Sequence, residues 1–218
     1  MKKAWFLGVG AIALLAVPLV ASAVVLEGHF SGSAQHDGAA PGDYTGATQY
    51  DAYLTLNSNQ VNPWYPWNAA LEYTAHLSAP IQSYVGGVSQ IVNFGVGTVE
   101  IFADDLGGGG TAADFANQST FTDGTMILSG SVQNMAGQRL DVFGLPWGIT
   151  GVIVFTGGPD LALVDAQCSG GLVMNDFIDF QIATPPAGYD EQYDAKWECP
   201  DTVGTDDETW GRIKALYQ

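Results

Sequence analysis

Asn62-Pro63-Trp64-Tyr65-Pro66-Trp67-Asn68 places three aromatic residues around two prolines. Proline stiffens the backbone, and a flat π surface can stack on the apolar face of a pyranose ring. Trp64, Tyr65 and Trp67 therefore form a candidate ligand-binding platform for sugars, a device that carbohydrate-binding β-sandwiches use. The plainer alternative is that Trp64 and Trp67 plug one end of the fold. A second chemistry is offered by carboxylates. Asp104 and Asp105 precede the glycine run Gly107–Gly110, and Asp114 follows it. Calcium takes about six to eight oxygen ligands, carbonyls included, so these three aspartates are the candidate metal ligands. Asp190, Glu191 and Asp194 make a second acidic cluster. Neither cluster has EF-hand spacing. His29, His36 and Asp37 are a third set, provided a turn brings the two histidines together. His76 is expected to be exposed on the polar face of a strand.

No Gly-x-Ser-x-Gly elbow, His-Glu-x-x-His helix or phosphate-binding glycine loop occurs. Glycoside hydrolysis needs two carboxyl groups at a set separation. Among 23 acidic residues, chance pairs carry no such signal. The expectation is a non-enzymatic protein with no obligatory cofactor, calcium being the one candidate. A carbohydrate-binding module is the first alternative, and a secreted glycan hydrolase is the catalytic one.

The elements that must position these residues begin with an export signal. Lys2 and Lys3 precede an apolar run from Trp5 to Val20, and Ala21-Ser22-Ala23 has the small-x-small pattern of a cleavage site. Residues 1–23 read as a secretory signal peptide, with no cysteine at the cleavage point and no later stretch apolar enough to span a membrane. The protein is expected to be secreted, periplasmic or at the cell surface. Beyond residue 23 only Arg139, Lys196, Arg212 and Lys214 stand against all 23 acidic residues. Such a surface repels phosphate backbones and excludes nucleic acid as a partner. Cys168 and Cys199 are the only cysteines, and in an exported chain they are expected to form a disulfide.

Short alternating stretches separated by turn residues dominate the remainder. Gln49 to Leu56, Ala69 to Leu77, Thr98 to Ala103 and Thr125 to Val132 each place apolar residues on alternate positions, as half-buried strands do. Thr122-Asp123-Gly124-Thr125 predicts a hairpin or a sharp strand entry. Gly151 to Thr156 is apolar throughout and predicts a strand buried on both faces. Leu161 to Val164 and Phe177 to Ile182 are further strand candidates, and Val24 to Ser31 is a candidate edge strand. His36 to Thr48 and Leu106 to Ala113 read as loops, the second a mobile one. About ten strands predict an all-β antiparallel sandwich or jelly roll over 24–184, with a closed barrel as the alternative. Residues 185–218 read as an acidic linker pinned by the disulfide, then one short C-terminal helix. That helix is capped by Thr205 and Glu208 and carries an apolar stripe of Trp210, Ile213, Leu216 and Tyr217.

Asp114 to Val132 (DFANQSTFTDGTMILSGSV), followed by Phe155-Thr156-Gly157-Gly158, resembles a pattern of uncharacterised secreted bacterial β-sandwich proteins, many of them in the PEP-CTERM exported group. The resemblance implies a β-rich exported domain tied to the cell surface or extracellular matrix; the partners expected of the chain are glycans or other cell-surface or matrix components. It implies no catalytic residue. The chain departs from that group in lacking the C-terminal Pro-Glu-Pro signal, the membrane helix after it and the basic end.

Overall fold

The computed structural model describes residues 27–38, 40–56, 68, 70–140, 147–165, 168, 171–179 and 185–199. Among the described residues nine strands are formed: β1 (Glu27–His36), β2 (Gln49–Leu56), β3 (Glu72–Val85), β4 (Ser89–Phe94), β5 (Gly97–Asp104), β6 (Thr125–Leu140), β7 (Trp147–Gly157), β8 (Leu172–Asp179) and β9 (Glu191–Glu198). One short helix, α1 (Leu161–Asp165), follows β7. Every strand pairing is antiparallel. β4 and β5 share one position between β3 and β6: β5 covers the first half of β3, and β4 covers its end. The strand order closes when β9 pairs with β1 through Glu27↔Glu198 to Ala34↔Glu191. The architecture is a closed eight-strand barrel.

This corrects the expectation of a sandwich or jelly roll. Both architectures bury alternate residues of each strand, so alternation alone does not separate them. What separates them is the β1–β9 seam, a pairing between distant parts of the chain. Closure also removes free edges, so β1, expected at an edge, is paired on both sides. The segment after Pro185, read as a linker, supplies β9. Leu161 to Val164, read as a strand, begins α1. The expected C-terminal helix, residues 1–23, and Trp64, Tyr65 and Trp67 lie outside the described residues.

The barrel interior is filled by side chains. Phe30, Tyr50, Leu54, Leu77, Ile101, Trp147, Tyr193 and Trp197 are all fully buried. Rings of this size demand small residues elsewhere in the wall. An ideal Cβ on Gly32 would lie 2.0 Å from the Tyr53 carbonyl oxygen of β2, and one on Gly130 would lie 2.2 Å from that of Val154 in β7. Both obstacles are backbone, so these inward-facing glycines let neighbouring strands coil tightly enough to close. Register shifts in β6 between Ser129 and Gly130 and between Gln133 and Ala136 add curvature, and Asn134 takes the left-handed conformation in the second bulge (φ 52°).

Outside the barrel, the β5–β6 connection folds back over β2 and β3. Phe121 packs on Tyr53 with ring centroids 5.6 Å apart, and Phe115 and Tyr189 complete the cluster. Thr74, on the outer face of β3, is buried beneath it and donates to the Phe121 carbonyl (2.8 Å). Gly151 to Thr156 also proves one-sided: Gly151, Ile153 and Phe155 are buried, whereas Val152 and Val154 are half-buried on the outer face.

Cys168 and Cys199 form the disulfide, with Cα atoms 5.4 Å apart across a separation of 31 residues. The bridge ties the segment after α1 to the end of β9. On the chain-entropy account a loop of this length contributes roughly 3–4 kcal/mol. A Cys168→Ser, Cys199→Ser variant should lose about that much in urea denaturation, with a lower midpoint. A midpoint equal to that of the oxidised wild type would show that the bridge adds no stability.

Candidate functional site

Period-two alternation carries two ionisable side chains into the barrel. In β1 the inward series Phe30, Gly32, Ala34 ends at His36; in β9 the inward series begins at Glu191 and continues through Tyr193, Ala195 and Trp197. Register puts both at the same end, since Glu191 lies opposite Ala34. Gln90 of β4, Arg139 of β6 and Trp147 of β7 are buried at that end too. The Arg139 guanidinium lies 5.4 Å from the Trp147 ring centroid, a cation–π distance.

The loop between β1 and β2 closes this end. Asp37 accepts hydrogen bonds from Thr48 N, Thr48 Oγ1 and Gln49 N, clamping the base of the loop. These bonds hold the Asp37 carboxyl down at about 2. From mid-loop Tyr44 turns inward and is fully buried. Its ring lies 4.4 Å from His36 and 5.2 Å from Trp147, centroid to centroid. Its hydroxyl donates to Glu191 Oε2 (3.0 Å).

The electrostatics follow from burial. Glu191 is completely buried, and desolvation pushes its carboxyl up to about 8 against the opposing effect of the Tyr44 hydrogen bond. At neutral pH it is mainly protonated. Burial also lowers His36, opposed by Asp190, Asp37 and Asp43. Gly38 N–H donates to His36 Nδ1 (3.1 Å), which places the proton of the neutral ring on Nε2. That nitrogen faces Glu191 Oε1 at 3.8 Å, beyond hydrogen-bond reach. The site is thus uncharged at His36 and Glu191, although the chain is strongly acidic.

Above Tyr44 lies an open hollow of about 380 Å³. Tyr84 supplies a half-buried ring over the buried Tyr44, Ile81 an apolar wall, and Thr45, Gln82 and Ser83 neutral hydrogen-bonding groups; among the described residues no charged one lines it. The β3–β4 hairpin that forms one wall ends in exposed apolar residues, with Val85 56% and Val88 65% accessible.

A second hollow, of about 540 Å³, opens beside Leu71, Tyr73 and Ile127, with Asp104, Asp105, Asp123 and Asp160 in its lining. Two of the calcium candidates are here, each engaged by its own loop. Asp105 Oδ1 accepts from Gly108 N (2.9 Å), Asp104 Oδ2 accepts from Thr111 N (3.0 Å), and Asp114 Oδ1 accepts from Ala116 N (2.9 Å). The glycine run is therefore a capped 3-10 turn at Leu106–Gly108. Among the described residues, no group of three or more His, Cys, Asp or Glu side chains is arranged to hold a metal ion.

His29 and His36 lie on opposite faces of β1 and do not meet, which removes the histidine set. His76 is half-buried, stacked on Tyr53 at 4.7 Å with Nε2 3.3 Å from Asp51 Oδ1. The barrel-end cluster was not legible as a site, because its members are separated by up to 155 positions. The signal that was present is the inward register of His36 and Glu191. No family model, curated protein or solved structure matches this chain.

Proposed function

We propose that this protein is an exported, non-enzymatic interaction protein that recognises a neutral glycan at the barrel end closed by Tyr44. The observation that carries the reading is a hollow whose described lining, Tyr44, Tyr84, Thr45, Gln82 and Ser83 among it, holds no charged residue on a chain with 23 acidic residues. Neutral hydrogen-bonding groups beside the Tyr84 ring suit a polyhydroxylated ligand. The exposed valines of the adjoining hairpin favour a surface that meets a partner. A hydrolytic role is disfavoured, since Glu191 is bonded to the buried Tyr44 and, among the described residues, no carboxyl group lines the hollow. Export is inferred from the first 23 residues, and the interior packed with side chains favours recognition at the barrel end over a deep calyx.

Calorimetric titration with cellobiose, maltose and chitobiose tests the reading, alongside hydrolysis assays. The expected result is binding by the wild type that falls about fivefold to tenfold in Tyr84→Ala, the loss of one ring contact worth about 1 kcal/mol. Binding that survives Tyr84→Ala but disappears in Trp64→Ala, Trp67→Ala would move recognition to that aromatic segment. Absence of glycan binding would defeat the proposal.

A further inference from the structure

We propose that Tyr44 is a built-in occupant of an inner sugar subsite: when it swings out, a pyranose ring takes its place, with hydroxyls on Glu191, His36 and Trp147. This rests on the reading that the barrel end binds a neutral glycan. The first observation is a set of orphan atoms. Glu191 Oε1, His36 Nε2 and Trp147 Nε1 are buried and have no hydrogen-bond partner. Buried polar atoms are almost always paired, so three around one ring call for a partner. The indole N–H and the imidazole Nε2–H donate, and because Oε2 of the protonated Glu191 accepts from Tyr44, its Oε1 carries the acid proton and donates too; a sugar hydroxyl has the lone pairs to accept from each.

The second observation is what occupies the space now. Tyr44 touches all three residues, with its ring against His36 and Trp147 and its hydroxyl on Glu191. It is a six-membered ring bearing a hydroxyl at the position where a sugar hydroxyl would meet Oε2. Of these four residues, Tyr44 is the one that borders the outer hollow. The plug comes from a loop and not from the barrel wall, so it can leave without breaking a strand pairing. Gly42 and Gly46 flank it in left-handed conformations (φ 69° and 76°), where glycine carries no steric penalty.

The test follows the Trp147 indole N–H by NMR, its resonance identified by its loss in Trp147→Phe. The binding disaccharide should shift that resonance in the wild type, and Trp147→Phe should bind about fivefold more weakly, the effect of one lost hydrogen bond. If Trp147→Phe does not fold, Glu191→Gln replaces it as the affinity probe, with at least a threefold change expected (~1 kcal/mol or less of hydrogen-bond rearrangement). Binding without a shift, at unchanged affinity in the variant, would overturn the inner subsite and leave the outer reading standing. If the wild type binds no glycan, the outer reading fails and glycerol decides the subsite in Tyr44→Ala, or in Tyr44→Phe should that variant unfold. A glycerol-dependent shift of the Trp147 N–H supports a polyol subsite; no shift means that the orphan atoms hold water only, and the inference is overturned.

Discussion

Glu191→Gln is expected to make the protein more stable at neutral and alkaline pH and to flatten its pH dependence. Burial raises the Glu191 carboxyl from an ordinary 4.5 to about 8 in the folded protein. A group raised on folding contributes its full stability below its unfolded value and loses it as pH rises through the folded one. The loss is about 1.4 kcal/mol per pH unit, so roughly 5 kcal/mol disappears between pH 4.5 and pH 8. His36 has the opposite sign: its lowered value favours the fold above its ordinary 6.5, and that contribution is lost as pH falls through the folded value. From pH 6.5 to pH 8 the Glu191 slope is therefore the one to follow, amounting to about 2 kcal/mol. Glutamine preserves the volume and an acceptor for the Tyr44 hydroxyl but has no proton to lose. Urea denaturation at half-unit pH steps should show the wild type weakening across this window and the variant level. A parallel decline in both proteins would place the pH dependence elsewhere.

Trp197→Ala is expected to cost about 3–5 kcal/mol, the usual range for removing a large buried aromatic side chain. Trp197 is fully buried in β9, and its ring lies 4.4 Å from Phe30 of β1. The lost contact therefore falls on the seam itself. Trp197 Nε1 has no hydrogen-bond partner, so Trp197→Phe discards an unused donor and should cost less than about 1.5 kcal/mol. Hydrogen exchange should show the amides of β1 and β9 opening before those of β6 and β7 in the alanine variant. Uniform exchange across the barrel, or a loss below about 1 kcal/mol, would mean that the seam is not where stability concentrates.

Much of the wall was legible in the chain because alternation is a local property. Tyr50, Ala52 and Leu54, and again Tyr73, Ala75 and Leu77, announce both their strand and the face they bury. β9 was obscured by charge. Glu191-Gln192-Tyr193-Asp194-Ala195-Lys196-Trp197-Glu198 carries four acidic or basic residues, and its inward series Glu191, Tyr193, Ala195, Trp197 is read only if a buried acid is allowed at its head. The choice between sandwich and barrel had no local signature, because it depends on β9 finding β1. The candidate site was hidden for the same reason. His36, Tyr44, Trp147 and Glu191 are brought together by register and closure, and no spacing rule connects them. The aspartates around the glycine run were conspicuous by type, but type does not reveal that their oxygens are engaged by neighbouring amides.

The seam also dictates an order of events in folding. β1 is the first strand of the barrel and β9 the last, so a chain delivered from its N-terminus presents two open edges until residue 198 has arrived. Pairings between distant segments form slowly, and unpaired edges invite association between molecules. Cys199 follows β9 directly and its partner precedes β8. Oxidation therefore locks the β8–β9 hairpin whether or not β9 has met β1, so the disulfide holds the closing strand beside its neighbour and leaves the seam itself to backbone pairing.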